Sequence, residues 1–186
     1  RIYPNNLQIQ QIQRTFGCCR FVYNHFLAKR QEQYKSDKIT LSYNACSALM
    51  TKMKKEVEWL KEVDATALQS SLKDLDIAYQ NFFDRVKKGK VPGYPKFKSK
   101  KHTYKSYRAK RNGDSIQVLE KHIKLPKLGL VKCKVSKQIE GRILSATVSQ
   151  NPSGKYFVSV CCTDVDAKPL TPTEAVVGID LGLKQF

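Results

Sequence analysis

A chain of 186 residues can build one sizeable hydrophobic core or two small ones, and its 41% hydrophobic and 10% aromatic content excludes a disordered tail. Lys and Arg outnumber Asp and Glu by 34 to 16, and a compact domain sustains the resulting formal charge of +18 most readily when a polyanion neutralises it. Nucleic acid is therefore the favoured partner and a membrane is not, since no apolar run approaches the ~20 residues of a span and no signal-peptide pattern opens the chain.

The chain starts at Arg1 without a methionine, so a trimmed or incomplete N-terminus is expected. After "RIYP", a short strand-like start, Asn5 or Asn6 can cap a helix in which Leu7, Ile12, Phe16, Cys19, Val22 and Phe26 recur at three- and four-residue steps. This helix is expected to reach about Lys35. A polar break, "KSDKIT", precedes a second helix opening at Ser42 and running through Leu49 and Met53 to the "EVEWL" turn. Asp64 is the expected cap of a third, with Leu68, Leu72, Leu75, Tyr79, Phe82 and Val86 at helical spacing. Three such stripes pack on one another as a small bundle.

From Lys87 to Arg111 the character changes. "KKGKVPGYPKFKSKKHTYKSYRAKR" holds eleven Lys or Arg and no acid, with Tyr94, Phe97, Tyr104 and Tyr107 interleaved, and Gly89, Pro92, Gly93 and Pro95 exclude a regular helix from its first half. Basic side chains bind phosphate through counterion release, and aromatic rings offer faces on which bases stack. Lys96, Lys98, Lys100, Lys101 and Arg108, together with Tyr94, Phe97 and Tyr104, are the candidate nucleic-acid contacts here. The competing reading is a solvated linker.

Beyond Gly113 the period shortens to that of strands. "SIQVLE", "HIKLPKL", "LVKCKV", "RILSATVSQ" and "KYFVSVCC" alternate or run apolar between turn residues such as Asn112-Gly113 and Asn151-Pro152-Ser153-Gly154. The last two form a hairpin across the NPSG turn. Five short strands suggest a small β-barrel, closed by the N-terminal "RIYP" strand, with the helices as an insertion. None of the six cysteines is spaced C-x-x-C, and they read as reduced, mostly buried residues of an intracellular protein. His25, His102 and His122 lie beside no carboxylate or cysteine motif and receive no chemistry.

A Pro-containing spacer, "DAKPLTPTE", leads to "VVGIDLGLKQF". Asp180 interrupts a run of strand formers where a carboxylate is costly unless paired or bound to a cation. Two-metal phosphodiester chemistry uses such acids, but needs more than one of them. G-I-D-L-G opens both RNase H-like nucleases and the sugar kinase, actin and heat-shock ATPase group. Here Leu183 and Lys184 replace the small hydroxyl residues that face phosphate in the ATPases, and the segment follows a basic module, an order that favours the nuclease.

The segments "YPNN", "TFGCCRFVYNHFLAKR", "EWLKEVDATALQSSLKDLDIAYQNFF", "GYPKFKSKK", "IKLPKLGLVK", "GRILSATVSQNPSGKYFVSV" and "VGIDLGLKQF" resemble, in order and over nearly the whole chain, the N-terminal half of TnpB. These transposon-encoded, RNA-guided DNA endonucleases are related to type V CRISPR effectors. The resemblance implies an α+β fold: a small wedge-type β-barrel with an inserted helical bundle, followed by the first strand of an RNase H-like (RuvC) domain. It divides the chain into a first barrel strand at 1–4, a helical recognition domain at 5–86, a basic aromatic-rich linker at 87–113, the continued barrel at 114–175 and the RuvC strand at 176–186.

The same resemblance makes Asp180 the first acid of an incomplete metal and catalytic site. The family also needs a glutamate and a second aspartate from later strands, and carries a CxxC…CxxC zinc-binding insertion; none lies within these 186 residues. The chain is accordingly expected to be a fragment or truncated product that binds nucleic acid and is inactive alone, Mg²⁺ or Mn²⁺ belonging to the full-length enzyme. The implied partners are a transposon-derived guide RNA and double-stranded target DNA, met by a monomer in a bacterial or archaeal cytoplasm or nucleoid. Base pairing with the guide reads the target, while the protein reads a short adjacent duplex motif. The positions matching that readout are Tyr43, Ser47, Thr66, Gln69 and Asn112, whereas the lysines of the basic run position phosphates. The alternatives are a stand-alone DNA-binding repressor or transposition accessory factor without guide RNA, a ribosomal-type RNA-binding protein, and an ATPase fragment.

Overall fold

The first-turn N–H groups of a helix have no partner within it, and three polar residues accept them here. In the computed structural model, which describes residues 1–101 and 104–165, Asn5 caps α1 (Asn6–Asp37), Ser42 caps α2 (Tyr43–Glu56) and Asp64 caps α3 (Ala65–Lys87). The Asn5 cap is reciprocal: its side chain accepts from the Gln8 N–H at 2.9 Å while Gln8 Oε1 accepts from the Asn5 N–H at 3.0 Å. The Gln8 amide also donates to the carbonyls of Leu128 and Leu130, so the cap ties the helix to the sheet. α1 runs two residues past the expected Lys35 and stops at Lys38, whose left-handed φ of 56° lets its N–H reach the Tyr34 carbonyl at 3.2 Å. A 3₁₀ turn at Glu58–Lys61 joins α2 to α3.

Seven strands follow or flank the helices: β1 (Ile2–Tyr3), β2 (Lys105–Lys110), β3 (Gln117–Val118), β4 (His122–Leu125), β5 (Gly129–Cys133), β6 (Arg142–Gln150) and β7 (Tyr156–Thr163). They pair antiparallel in one sheet of order β2-β6-β7-β1-β5-β4-β3. The fold is thus α+β, and the helices lie between β1 and β2 in the chain. The expected closed barrel is not observed among the described residues: β2 and β3 are the two edges and do not pair with each other. The "RIYP" strand occupies the centre of the sheet, where Ile2 opposes Cys133 on one side and Tyr156 on the other, and it joins two three-stranded halves. In the β6–β7 hairpin, Asn151 organises the NPSG turn by accepting from the Lys155 N–H at 2.8 Å, with Gly154 at φ 78°.

β2 is a strand inside the segment expected to be a linker. Tyr107 and Ala109 are buried and alternate with Ser106, Arg108 and Lys110, which face outward or half-outward. α1 and α3 both pack against this strand, so the helical and sheet cores meet there. The Tyr107 ring meets Phe16 edge-on at 5.7 Å, and this burial corrects its reading as an open stacking face. Ile12, Phe16, Cys19, Val22 and Phe26 of α1 and Leu68, Leu72 and Leu75 of α3 are buried as their spacing requires. The stripe ends are not: Leu7 is 76% exposed and Val86 50%. Cys18, Cys19 and Cys46 are buried thiols, whereas Cys161 is exposed and Cys133 and Cys162 are half-buried on the sheet.

Candidate nucleic-acid interface

The basic run leaves α3 through a left-handed Gly89, whose N–H bonds the Val86 carbonyl, and is then laid across the helices by specific contacts. Tyr94 packs edge-on against Tyr79 and Phe82, with its hydroxyl 3.1 Å from that of Tyr79. Pro95 is buried. Asn24 of α1 grips the backbone of Lys98 from both sides, donating to its carbonyl at 3.0 Å and accepting from its N–H at 2.8 Å. This clamp replaces the ladder bonds that an isolated extended segment lacks.

The clamp fixes which cations are free. Lys98 Nζ sits 4.2 Å from the Tyr23 ring centroid, a cation–π contact that holds it against α1. Lys96, Phe97, Lys100, Lys101 and Tyr104 are exposed, and among the described residues no carboxylate pairs with these lysines. Arg108 is different: its Nη2 is 2.7 Å from Asp74 Oδ1 on α3, so part of its charge is spent on docking β2.

A cavity of about 280 Å³ opens between α1, the clamped run and β2, lined by Arg20, Lys98 and Lys105 together with Ser99, Tyr104 and Ser106. Its charge is suited to a phosphodiester, with hydroxyls available as second donors. Cys19 also lines it, but burial first and the neighbouring Cys18 next push this thiol up to about 12, so it stays neutral and does not act as a nucleophile. Arg20 was not among the sequence candidates. Its only signal is a polar-face position one residue after the buried Cys19, indistinguishable in sequence from any solvated helix arginine.

The five duplex-reading candidates occupy one connected region. Thr66, Gln69 and Lys73 fall at three- and four-residue steps along α3. At one end the Thr66 hydroxyl donates to Asp64 and accepts from the Lys110 N–H at 2.9 Å, which brings the end of β2 and the following Asn112 alongside. At the other, Lys73 Nζ lies 5.2 Å from the Tyr43 ring centroid, and Ser47 follows one turn later on α2. Gln69 is exposed with its amide free of protein partners among the described residues. Asn112 is exposed, its backbone N–H and carbonyl both engaged by Ser115 in a turn. Thr66 is thus occupied in joining two elements, while Gln69 and the Asn112 side chain remain available. Asp180 and the terminal segment lie outside the described residues. Among those described, no group of three or more His, Cys, Asp or Glu side chains could hold a metal ion, and no helix is long and apolar enough to cross a membrane.

Comparison with known proteins decides the family. Over 188 residues the whole chain is 32% identical to "Putative RNA-guided DNA endonuclease InsQ" of Escherichia coli (strain K12), and over 195 residues 98% of it is 34% identical to "Putative RNA-guided DNA endonuclease" of Streptomyces pristinaespiralis. The chain belongs to the TnpB-like family. It corresponds to the family's N-terminal half and spans 45% of the length of each of these two relatives. About half of this TnpB-like chain, 49%, is also 32% identical over 100 residues to "Virulence protein VsdF" of Salmonella dublin, covering 84% of that protein. Residues 1–38 match a helix-turn-helix domain model. In the structure those residues form β1 and one unbroken helix, and a turn and second helix come only with 38–42 and α2.

Proposed function

We propose that this chain is the guide-RNA and target-DNA binding portion of a TnpB-like RNA-guided DNA endonuclease. The seven-stranded sheet corresponds to the family's wedge module and the three helices to its recognition module. The basic run and the Arg20 cavity hold nucleic-acid backbone, and Gln69, Asn112, Tyr43 and Ser47 address a duplex motif beside the target, Thr66 holding the end of β2 against them. Asp180 supplies the first carboxylate of the RuvC-type site, whose Mg²⁺ or Mn²⁺ belongs to the whole nuclease. The described residues offer no acid cluster for these ions, and no metal-assisted step follows from them.

The observation that carries this reading is the Asn24 clamp on Lys98. A solvated linker has no need of a bidentate side-chain grip on its backbone. A surface that presents Lys96, Lys100 and Lys101 in fixed register to phosphates does. The helix-turn-helix match favours a second reading, duplex DNA binding without a guide. Purification without nuclease treatment separates the two: RNA that remains bound supports the first, and tight duplex binding by protein stripped of RNA supports the second.

A further inference from the structure

A cavity of about 680 Å³ lies where the C-terminal half of α1, the 38–42 connection and α3 meet, and aromatic rings wall it: Tyr34, Tyr79, Phe82, Phe83 and Tyr94. Its walls are braced. Phe83 stacks on Tyr79 at 6.4 Å between centroids, Tyr94 stands edge-on to both Tyr79 and Phe82, and the Tyr79 and Tyr94 hydroxyls are 3.1 Å apart. Behind them Arg30, only 7% exposed, donates from Nε to the Leu41 carbonyl at 2.7 Å and from Nη2 to Asp76 at 3.2 Å, its guanidinium 4.8 Å from the Tyr79 centroid. Burial pushes the Asp76 carboxyl up, but hydrogen bonds from Lys73 and Arg30 outweigh it and hold the group below its ordinary value, so the floor is a closed ion pair.

Despite this bracing the rings are left open. Tyr34 is 55% exposed, Phe83 48% and Tyr94 45%. Gln80 lines the same cavity; its amide gives one N–H to Asp76 at 3.3 Å and keeps its oxygen as an acceptor. Planar apolar faces beside a polar amide match a nucleobase, which has a π-face and a hydrogen-bonding edge. The surroundings distinguish a base from an apolar peptide. Lys38 Nζ lies 5.5 Å from the Tyr34 centroid, and Arg85, Lys87, Lys88 and Lys90 follow Phe83 in the chain with Asp84 as the one acid among them. Such charge attracts the phosphates flanking a base and contributes nothing to an apolar side chain. Paired bases within a duplex bury their faces in the stack, so the base must be unstacked.

We propose that this cavity receives an unstacked base from a single-stranded stretch of nucleic acid. The inference rests on the reading that the chain binds nucleic acid, and deepens it by assigning a stacking site apart from the phosphate-holding lysines. The test compares wild type with Tyr34→Ala/Phe83→Ala, using a single-stranded RNA oligonucleotide carrying one 2-aminopurine that is moved along its sequence, across a salt titration. Stacking worth ~1–3 kcal/mol per base predicts an affinity loss of about 5- to 150-fold with an unchanged salt slope. At one oligonucleotide position, 2-aminopurine fluorescence should be quenched by wild type and not by the variant. Tyr34→Phe/Phe83→Trp, which keeps the rings, should retain both the affinity and the quench, and also guards against loss of folding in the alanine variant. Equal affinity in wild type and a folded alanine variant, or a loss accompanied by a flatter salt slope, overturns the stacking site while leaving nucleic-acid binding in place. Failure of wild type to bind single strands at any salt overturns the stacking site and the proposed function together.

Discussion

Replacing Asp76 with Ala should strand a buried charge. Arg30 is buried at the junction of α1, the 38–42 connection and α3, and Asp76 accepts from Arg30, Lys73 and Gln80 at 3.2, 3.0 and 3.3 Å. Removing one partner of a buried pair costs ~3–5 kcal/mol, mostly the penalty of the unpaired charge left behind. The Asp76 side chain is 15% exposed and that of Lys73 44% exposed, so water compensates part of the loss and the lower end, ~3 kcal/mol, applies. For a chain of this size ~1 kcal/mol moves Tm by about 2–4 °C, so thermal melts followed by circular dichroism at neutral pH should show a fall of about 6–12 °C. Arg30→Met in the same background removes the stranded charge and should recover part of it. A fall below ~2 °C for Asp76→Ala would refute the argument. The pH dependence has a definite sign. A carboxyl whose folded pKa is depressed contributes stability that is fully present above its unfolded value and is lost as pH falls through the folded one. Wild type should therefore lose stability more steeply than Asp76→Ala as pH drops below ~4.

Four further outcomes follow from the same geometry. Lys96→Ala, Lys100→Ala and Lys101→Ala together should flatten the salt dependence of nucleic-acid affinity by about three phosphate contacts, ~0.7 per contact on a single strand. Asn24→Ala should lower nucleic-acid affinity without changing the number of cations, measured with Tm as the folding control. Gln69→Ala should cost about 1–3 kcal/mol for the preferred duplex motif and little for scrambled duplex at one fixed salt concentration; equal losses would assign it to the backbone instead. Gly141→Ala should destabilise by at least ~1–3 kcal/mol in a thermal melt, since φ is 73° there and an added Cβ would lie 2.1 Å from the Thr163 carbonyl oxygen.

The helices were legible because their signals are local. Asn5, Ser42 and Asp64 each cap an N–H only three residues away, and the buried stripes of α1 and α3 follow from 3.6-residue periodicity. β2 was hidden because charge masks its alternation, only Tyr107 and Ala109 face inward, and its partner β6 lies about 40 residues on. The order of the sheet has the same cause: nothing within the two residues of β1 states that they pair with both Cys133 and Tyr156. At the candidate interface, composition located the basic run but not the duties of its members. Tyr94 turns back onto Tyr79 and Phe82, Lys98 lies on Tyr23 and Arg108 pairs with Asp74, contacts made with residues 12 to 75 positions away. Thr66 is held in the same way, by a backbone N–H 44 residues further along the chain.

The most direct test of the central claim, that a guide RNA mediates target recognition, is the affinity for a duplex target before and after the co-purifying RNA is digested away. The account predicts that RNA stays with the protein through purification, that duplex matching this RNA is held while it is present, and that this binding disappears on digestion and returns when the RNA is restored. Duplex binding of unchanged strength by the RNA-free protein would contradict it.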